Sequence, residues 1–366
     1  MIPSPQEKIT NIQASIAVTM TIVGVGIITL PRTSAEAVQT PDVWLSILVA
    51  GFIAMCAAFF VVKIGQMFPN QTFYQFSYQI IGKPIGYILN FVVIIYFTML
   101  AGFEARSMGE VIRSYLLDKT PMEVIILVFM SVGVYLVAGG VNSILKLFEL
   151  YFPILLFLFL LMFLLSFANF EFNNIRPFLG EGIQPVLKGI KPNALSYTGF
   201  EVMFILTAYM HTPKNAILTT FIGIGLSIIL YTAVLILVIG TLTVEEVRLL
   251  TFPTMELVKS IEMKGVFFER FETFFIIIWI ITTFTTYSIS LYMASLGLAQ
   301  IFNKNRSHCI LGLLPFIYLL SMYPSDINVV FKYGDYVGNL GMFVAGIMPF
   351  FLWIIAFIRR KRNAKS

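Results

Sequence analysis

Two glycines one residue apart stand in the middle of the first long apolar run, in the stretch Val23-Gly24-Val25-Gly26-Ile27-Ile28-Thr29-Leu30-Pro31-Arg32. Glycine destabilises a helix interior because its backbone has more conformational freedom to lose. The pattern therefore predicts that the helix is interrupted here. An interruption inside a membrane leaves backbone amides and carbonyls free, and these groups need water, protein or a ligand as partners. The alternative is a close packing contact, since small residues also let helices approach each other.

A second polar interruption, Ser196-Tyr197-Thr198-Gly199-Phe200-Glu201, occurs in the first apolar run of the second half of the chain. Apolar windows predict ten membrane spans, and the two interruptions fall in spans one and six. Paired interruptions of this kind are typical of inverted repeats that bind a ligand between two broken helices. This correspondence favours a binding site over a packing contact at Gly24 and Gly26. The ten spans are predicted at 12–39, 43–62, 84–113, 121–139, 145–168, 192–211, 215–242, 270–302, 308–323 and 336–358.

The composition indicates a membrane protein. Hydrophobic residues make up 58% and charged residues 12% of the 366 residues, whereas soluble domains have about 25% charged residues. We therefore predict an all-α polytopic membrane protein, with ten transmembrane helices in a 5+5 inverted repeat and discontinuous helices 1 and 6. The single domain would hold repeat one at about 12–168 and repeat two at about 192–358. A basic tail at 359–366 accounts for much of the net charge of +5, and it indicates a cytoplasmic anchor facing the lipid bilayer, with no nucleic-acid partner.

Charged side chains are few within the predicted spans, so each one is informative. Arg106 and Glu110 are four residues apart on the third span, and this spacing predicts an ion pair with a structural role. Glu104 lies on another face, near Leu100 and Phe103, and has no local partner. Two alternatives stay open for Glu104, a structural pairing with another helix and a role in the ligand pocket.

The eighth predicted span has a polar stripe in which Thr282, Thr286 and Ser290 recur every four residues. Hydroxyl groups in a helix can donate to the carbonyl one turn back, so these residues could simply satisfy themselves. A stripe that faces the two interruptions could instead supply oxygen atoms to a ligand or a cation.

Enzymatic motifs are missing from the sequence. Gly24 and Gly26 begin a Gly-x-Gly pattern, but position 29 is threonine and no strand can precede it inside a membrane span. The chain has no phosphate loop, no Gly-x-Ser-x-Gly motif and no His and Glu pair at zinc spacing. Cys56 and Cys309 lack metal-ligand spacing and are expected to be two buried thiols. We expect no catalytic residue, no metal and no cofactor.

Several stretches, taken in their order and spacing, resemble the B subunit of spore germinant receptors, a branch of the amino acid/polyamine/organocation transporter superfamily. The segment Asn-Asn-Ile-Arg-Pro-Phe-Leu-Gly-Glu-Gly at 173–182 carries most of this resemblance. The other matching pieces are 24–32, 103–106, 199–203, 252–256, 265–272, 323–326 and 335–336. The resemblance covers essentially the whole chain, and it implies a bundle in which broken helices one and six pack with helices three and eight.

The resemblance also implies a function. It indicates a receptor subunit that senses a small nutrient and assembles with an A subunit and a lipoprotein C subunit in the spore inner membrane or the cell membrane. Nutrient binding would then trigger germination without required transport. The alternative is a cation- or proton-coupled amino-acid transporter, and a third possibility is a subunit of an ion-conducting pore. Some superfamily members carry a lysine deep in the fifth span near an ion, whereas Lys146 stands at the start of that span, so this role is not transferred.

The two interruptions predict how an amino acid would bind. Free amides near Ile27 suit a carboxylate, because the start of a helix carries partial positive charge. Carbonyls freed at 197–199 suit the ligand's amine. Side chains around this point, on helices three and eight and at the second interruption, would accommodate a small and mostly apolar substituent. The predicted ligand-binding residues are Val23, Gly24, Val25, Gly26, Leu100, Phe103, Glu104, Tyr197, Thr198, Gly199 and Thr286.

Overall fold

The computed structural model describes residues 8–261 and 271–363, and its regular elements are helices apart from one isolated bridge between Ile9 and Met210. The α-helices are α1 Asn11–Val23, α2 Gly26–Val38, α3 Val43–Met67, α4 Phe73–Ile81, α5 Lys83–Tyr115, α6 Met122–Ala138, α7 Val141–Ser166, α8 Gln184–Leu195, α9 Met203–Tyr209, α10 Ala216–Leu249, α11 Pro253–Lys259, α12 Phe271–Phe302, α13 Arg306–Met322, α14 Ile327–Met342 and α15 Met348–Asn363.

Six segments within these two ranges are long and apolar enough to cross a membrane, and the bent pair α1 and α2 makes a seventh. The apolar helices α6 and α13 have only 17 residues each, and the apolar segment Phe200–Tyr209 is shorter still. The predicted all-helical polytopic class is therefore confirmed. Each of the ten predicted spans coincides with helical segments, but length and composition alone identify six or seven crossings.

The first interruption lies between α1 and α2, whose axes differ by 52°. Helix α1 begins with a capping box formed by Thr10 and Gln13 and ends at Val23. Gly24 and Val25 form a turn before α2 begins. The interruption predicted around Gly24–Gly26 is confirmed, although Gly26 is already the first residue of α2.

The second interruption separates α8 from α9. Residues 196–199 form a turn, Phe200–Val202 form one turn of 3₁₀-helix, and the chain then continues as α9. The interruption predicted at 197–199 is thus present. The segment before α1 pairs with the end of α9, since the Ile9 amide donates to the Tyr209 carbonyl at 2.8 Å and the His211 amide donates to the Ile9 carbonyl at 2.9 Å.

Close helix contacts position the interruptions. Helix α5 packs on α12, α1 packs on α10 and α12, and α2 packs on α8 and α10. Hydroxyl groups link α1 to α10, because Ser15 Oγ donates to the Thr219 carbonyl at 2.7 Å and Thr19 Oγ1 donates to the Gly223 carbonyl at 3.0 Å. Such links between helices are common in lipid, where hydrophobic attraction between helices is weak. The first interruption therefore lies against α10 and α12.

Two predictions at the periphery need revision. Cys56 and Cys309 are free thiols, but Cys56 is exposed on α3 and Cys309 is half-buried. Both cysteines were expected to be buried because the sequence around them is apolar. An apolar sequence does not distinguish a position that faces lipid from one in the core. The basic tail predicted at 359–366 begins as helix, because α15 continues to Asn363, and the Arg359 Nη1 donates to the Gln79 carbonyl at 3.2 Å. Residues 364–366, and most of the motif at 265–272, lie outside the described residues.

Candidate functional site

The two interruptions contact each other at Gly199. A Cβ atom built on Gly199 would lie 2.8 Å from Ile22 N and 2.9 Å from the Thr21 carbonyl carbon, both in the backbone of the last turns of α1. Gly199 also has a φ of 135°, a conformation that favours glycine. Glycine is therefore required here both by the backbone conformation and by the close approach of the two chain segments.

Tyr231 on α10 connects the two interruptions a second time. Its hydroxyl oxygen lies 2.6 Å from the Ile22 carbonyl and 3.3 Å from the Ser196 carbonyl. A hydroxyl has one proton, so it donates to one carbonyl at a time, and the shorter distance favours Ile22. The carbonyls in the last turn of a helix lack partners within the helix. Tyr231 therefore satisfies a group that the interruption would otherwise leave free.

Glu201 closes the second interruption from within the protein. Its Oε2 accepts from the Gly199 amide at 2.7 Å, and its Oε1 accepts from the hydroxyl of Tyr96 on α5. All of these groups are buried. The Gly199 carbonyl accepts from the Val202 amide at 3.4 Å. Of the three carbonyls at 197–199 that we expected to be free for a ligand, that of Gly199 is thus bonded within the protein.

Glu104 faces the first interruption. Its carboxylate faces the Val25 amide, while its Oε2 has no hydrogen-bond partner among the residues that the structure describes. The side chain is 3% exposed. A Cβ atom on Gly24 would lie 3.1 Å from Glu104 Oε1, so glycine makes room for this carboxylate. Of the two alternatives for Glu104, this geometry favours a position beside the ligand pocket over pairing with another helix.

Thr286 is the member of the polar stripe that reaches the interruption. Its Oγ1 lies 3.3 Å from the Met20 carbonyl and 3.4 Å from the Thr21 carbonyl. Thr282 instead donates to the carbonyl of Ile278, one turn back on α12. Thr282 thus satisfies itself within α12, whereas Thr286 links α12 to the last turns of α1.

A cavity of about 540 Å³ lies against the interruptions, between α2, α5, α8, α12 and α14. Val23 and Tyr197 are 0% exposed, and the Tyr197 hydroxyl donates to the Ile47 carbonyl of α3 at 3.2 Å. With Gly24 and Gly199, they lie behind the cavity wall, because the turns that contain them pack on neighbouring helices. The seven predicted residues that line the cavity are Val25, Gly26, Leu100, Phe103, Glu104, Thr198 and Thr286.

The mouth of the cavity includes residues that the sequence did not identify. Arg32 pairs with Glu36 at 2.8 Å and lies over the ring of Phe331, 4.9 Å from its centroid. Lys332 and Asp335 line the cavity on the same helix as Phe331. Arg32 and Glu36 have the spacing of a helical ion pair, and Arg32 and Asp335 fall in the stretches 24–32 and 335–336, but no signal in the sequence placed these residues at the cavity.

Helix α14 begins earlier than predicted. We expected the tenth span to begin at 336, but α14 begins at Ile327 because the Asp326 carboxylate accepts from the amides of Asn328 and Val329. Hydrogen bonds from the Ser325 hydroxyl and the Val329 amide lower the pKa of Asp326. The extra turns bring Phe331 to the cavity.

The predicted pair of Arg106 and Glu110 is confirmed. Arg106 Nη2 lies 2.8 Å from Glu110 Oε1, and Arg106 Nη1 also donates to the Ser321 carbonyl of α13 at 3.3 Å. Neither residue lines the cavity of about 540 Å³. These contacts favour the structural role.

We expect Gly26→Ala and Tyr231→Phe to be energetically coupled. A Cβ atom on Gly26 would lie 2.4 Å from the Tyr231 hydroxyl oxygen but 3.2 Å from the ring carbon Cζ. Each single variant should lower the thermal unfolding midpoint, and the double variant should be more stable than the sum of the two losses predicts, by about 0.5–3 kcal/mol. A double-mutant cycle on purified protein measures this energy, and additive losses would contradict the contact.

Comparison with known proteins identifies the family. The family model described as "Spore germination protein" matches residues 8–330. Spore germination protein YndE of Bacillus subtilis (strain 168) is 43% identical over 358 residues, which cover 98% of this chain and 99% of YndE. Spore germination protein A2 of the same strain is 35% identical over 360 residues, which cover 98% of each chain.

Solved structures share the fold. A nucleobase-cation-symport-1 family transporter, closed with bromovinylhydantoin bound, aligns with a TM-score of 0.72 at 14% identity, over 95% of this chain and 79% of the transporter. MhsT in complex with L-phenylalanine aligns with a TM-score of 0.69 at 13% identity, over 95% of this chain and 98% of MhsT. The family match and the full-length identity show that this chain belongs to the spore germination protein family, as a multi-pass membrane protein of the B-subunit type with a transporter-like fold.

Proposed function

We propose that this chain is the nutrient-sensing subunit of a spore germination receptor and that a small amino acid binds in the cavity beside the two interruptions. The observation that supports this most is a cavity of about 540 Å³ whose wall combines apolar side chains, among them Leu100 and Phe103, with polar ones, among them Glu104 and Thr286. Such a mixture of apolar and polar side chains is typical of small-molecule sites. The fold neighbour MhsT is named as a complex with L-phenylalanine, which supports the amino-acid class.

The proposed topology is ten crossings in two inverted sets of five within one domain, 12–168 and 192–358. Helices 1 and 6 would be the discontinuous pair, corresponding to α1 with α2 and to α8 with α9. The interruptions occupy corresponding places in the two sets, which is the arrangement expected for inverted repeats with a site near the membrane midplane.

Signalling would follow from a shift in conformation. A ligand changes a conformational equilibrium only if it binds the two states with different affinity. The interruptions meet at Gly199 and at Tyr231, so a ligand in the cavity beside them would change how these two segments pack. Membership of the family makes the chain non-enzymatic and implies A and C subunits as partners. These subunits, in the spore inner membrane, would respond to the change in conformation.

The second candidate function is a cation- or proton-coupled amino-acid transporter. One fold neighbour is itself described as a cation symporter, and a transporter needs the same kind of pocket. The two functions differ in whether the ligand crosses the membrane.

A paired experiment separates the two candidates. In the first measurement, the thermal unfolding midpoint of the complex with its A and C subunits is determined in lipid nanodiscs with each of the common amino acids. In the second, uptake of the radiolabelled amino acids is measured in proteoliposomes with and without ion gradients. We expect a raised unfolding midpoint for one or a few amino acids and no uptake above that of empty liposomes. Gradient-driven uptake would establish the transporter, and no shift with any amino acid would contradict the binding proposal.

Larger side chains in the cavity wall should change which amino acid binds. We expect Leu100→Phe and Thr198→Leu, which add three and two side-chain carbons, to weaken binding of the larger amino acids by about tenfold or more relative to the smaller ones, because a single added carbon in a pocket changes affinity by about 1–3 kcal/mol. Leu127→Phe is the matched control, since Leu127 is 51% exposed on the outside of α6. Unchanged preference in both cavity variants would show that the site lies elsewhere.

A further inference from the structure

The start of α2 holds a carboxylate of the protein where the sequence predicted room for a carboxylate of the ligand. We propose that the cavity recognises its ligand through an ammonium group, with Glu104 as the counter-ion, so that the ammonium group and not the carboxylate points towards the first interruption. This inference rests on the proposed function, because it assigns the orientation of the amine-bearing ligand in that same cavity.

The charge already present at the helix start decides against a ligand carboxylate there. The Glu104 carboxylate faces the Val25 amide, immediately before the first residue of α2, and its Oε1 lies 3.1 Å from a Cβ atom built on Gly24. It therefore compensates the partial positive charge of the helix start. A second carboxylate beside it would be repelled, and this repulsion is stronger in a site shielded from water than at an exposed surface.

The free oxygen of Glu104 favours a cation. Its Oε2 is buried without a hydrogen-bond partner in the described part of the chain, and the side chain lines the cavity. A buried charge without a partner is unfavourable, and an ammonium group would supply both the opposite charge and the missing donor.

The protein offers no cation of its own at this place. Of the described side chains that line the cavity, the basic ones are Arg32 and Lys332. Arg32 is six residues beyond Gly26, about 9 Å along α2, and it is paired with Glu36. Gly341 is the residue of α14 that approaches Thr198. Lys332 stands nine residues before Gly341, which is about 13 Å along a helix. Both lie towards the mouth.

The first interruption also offers the ammonium group a backbone acceptor. The single Thr286 hydroxyl proton serves two carbonyls, those of Met20 and Thr21, so one carbonyl can accept from another donor. An ammonium group beside Glu104 can therefore donate to the protein backbone as well as to the carboxylate.

The test uses three probes of matched shape on the intact complex with its A and C subunits in nanodiscs. The probes are L-valine, isobutylamine, which is valine without its carboxylate, and isovalerate, which is valine without its ammonium group. Thermal unfolding and calorimetric titration report binding. We expect isobutylamine to bind and isovalerate not to bind at the same concentration. No response to isobutylamine would overturn the orientation, and a response to L-valine in that case would leave the proposed function standing.

Two further arms identify the charge and its source. Sodium or potassium chloride alone is titrated as a probe, and a response equal to that of isobutylamine would assign Glu104 to a metal ion and overturn the proposal. If isobutylamine binds and no amino acid does, the orientation stands and the proposed function fails.

The variant Glu104→Gln keeps the size of the side chain and removes its charge. We expect the ratio of isobutylamine affinity to isovalerate affinity to fall by about tenfold or more, and this ratio is independent of how much protein folds. Glu104→Asp keeps the charge and should keep the preference for isobutylamine. Glu123→Gln on the exposed first turn of α6 is the control for removal of a carboxylate. An unchanged ratio in Glu104→Gln would overturn the proposal.

Discussion

Replacing Gly199 with alanine is expected to leave little folded protein, because both the backbone and the available space at this position exclude a side chain. The φ of 135° costs a residue with a Cβ atom about 1–3 kcal/mol. The added Cβ atom would meet the backbone of α1 at 2.8 Å, and such overpacking costs about 1–3 kcal/mol more. The sum is a large part of the stability of about 5–15 kcal/mol that is typical of proteins.

The measurement is the yield of monodisperse Gly199→Ala protein after solubilisation, together with its thermal unfolding midpoint. Gly312→Ala on α13 is the matched control, since a Cβ atom there meets nothing within 4 Å, and alanine in a helix is favoured over glycine by about 1 kcal/mol. A normal yield and midpoint for Gly199→Ala would show that the two interruptions do not touch.

The features that were predicted correctly have local signals. Gly24 and Gly26 interrupt an apolar run that is long enough to span a membrane. A break in the helix is one of the few explanations for two glycines in such a run. Arg106 and Glu110 are neighbours on a helix whatever the rest of the fold does, because four residues make about one turn. Periodicity and composition were sufficient for these features.

The features that were missed depend on contacts between distant parts of the chain. Tyr96 and Glu201 are 105 residues apart, and Tyr231 is 209 residues from Ile22. Whether a buried tyrosine donates to its own helix, to another helix or to a ligand depends on how the helices are aligned, and an apolar pattern does not contain this information. Of the carbonyls predicted to be free at 197–199, that of Gly199 instead accepts from the Val202 amide.

The position of Glu104 shows where sequence and structure complement each other. An unpaired acid inside a membrane span is a functional hypothesis from the sequence alone. Its position beside the interruption depends on the packing of α12 against both α5 and α1. The contact with Val25 then reverses the expected orientation of the ligand, because the same helix start cannot serve two carboxylates.

Replacing Arg106 with alanine is expected to reduce the amount of folded subunit strongly without changing which ligand binds. The side chains of Arg106 and Glu110 are 6% and 17% exposed, and removing one partner of a buried ion pair costs roughly 3–5 kcal/mol, because the other charge is left unpaired. The loss also leaves the Ser321 carbonyl without its donor.

The double variant Arg106→Ala with Glu110→Gln separates this charge effect from lost packing. Because it removes the unpaired carboxylate as well, we expect it to recover much of the folded protein, measured as monodisperse yield and unfolding midpoint. Amino-acid preference, measured on the folded fraction of each variant, should equal that of the unmodified chain, since neither residue lines the cavity of about 540 Å³. An Arg106→Ala protein with normal yield that no longer binds any amino acid would instead give Arg106 a role in ligand recognition.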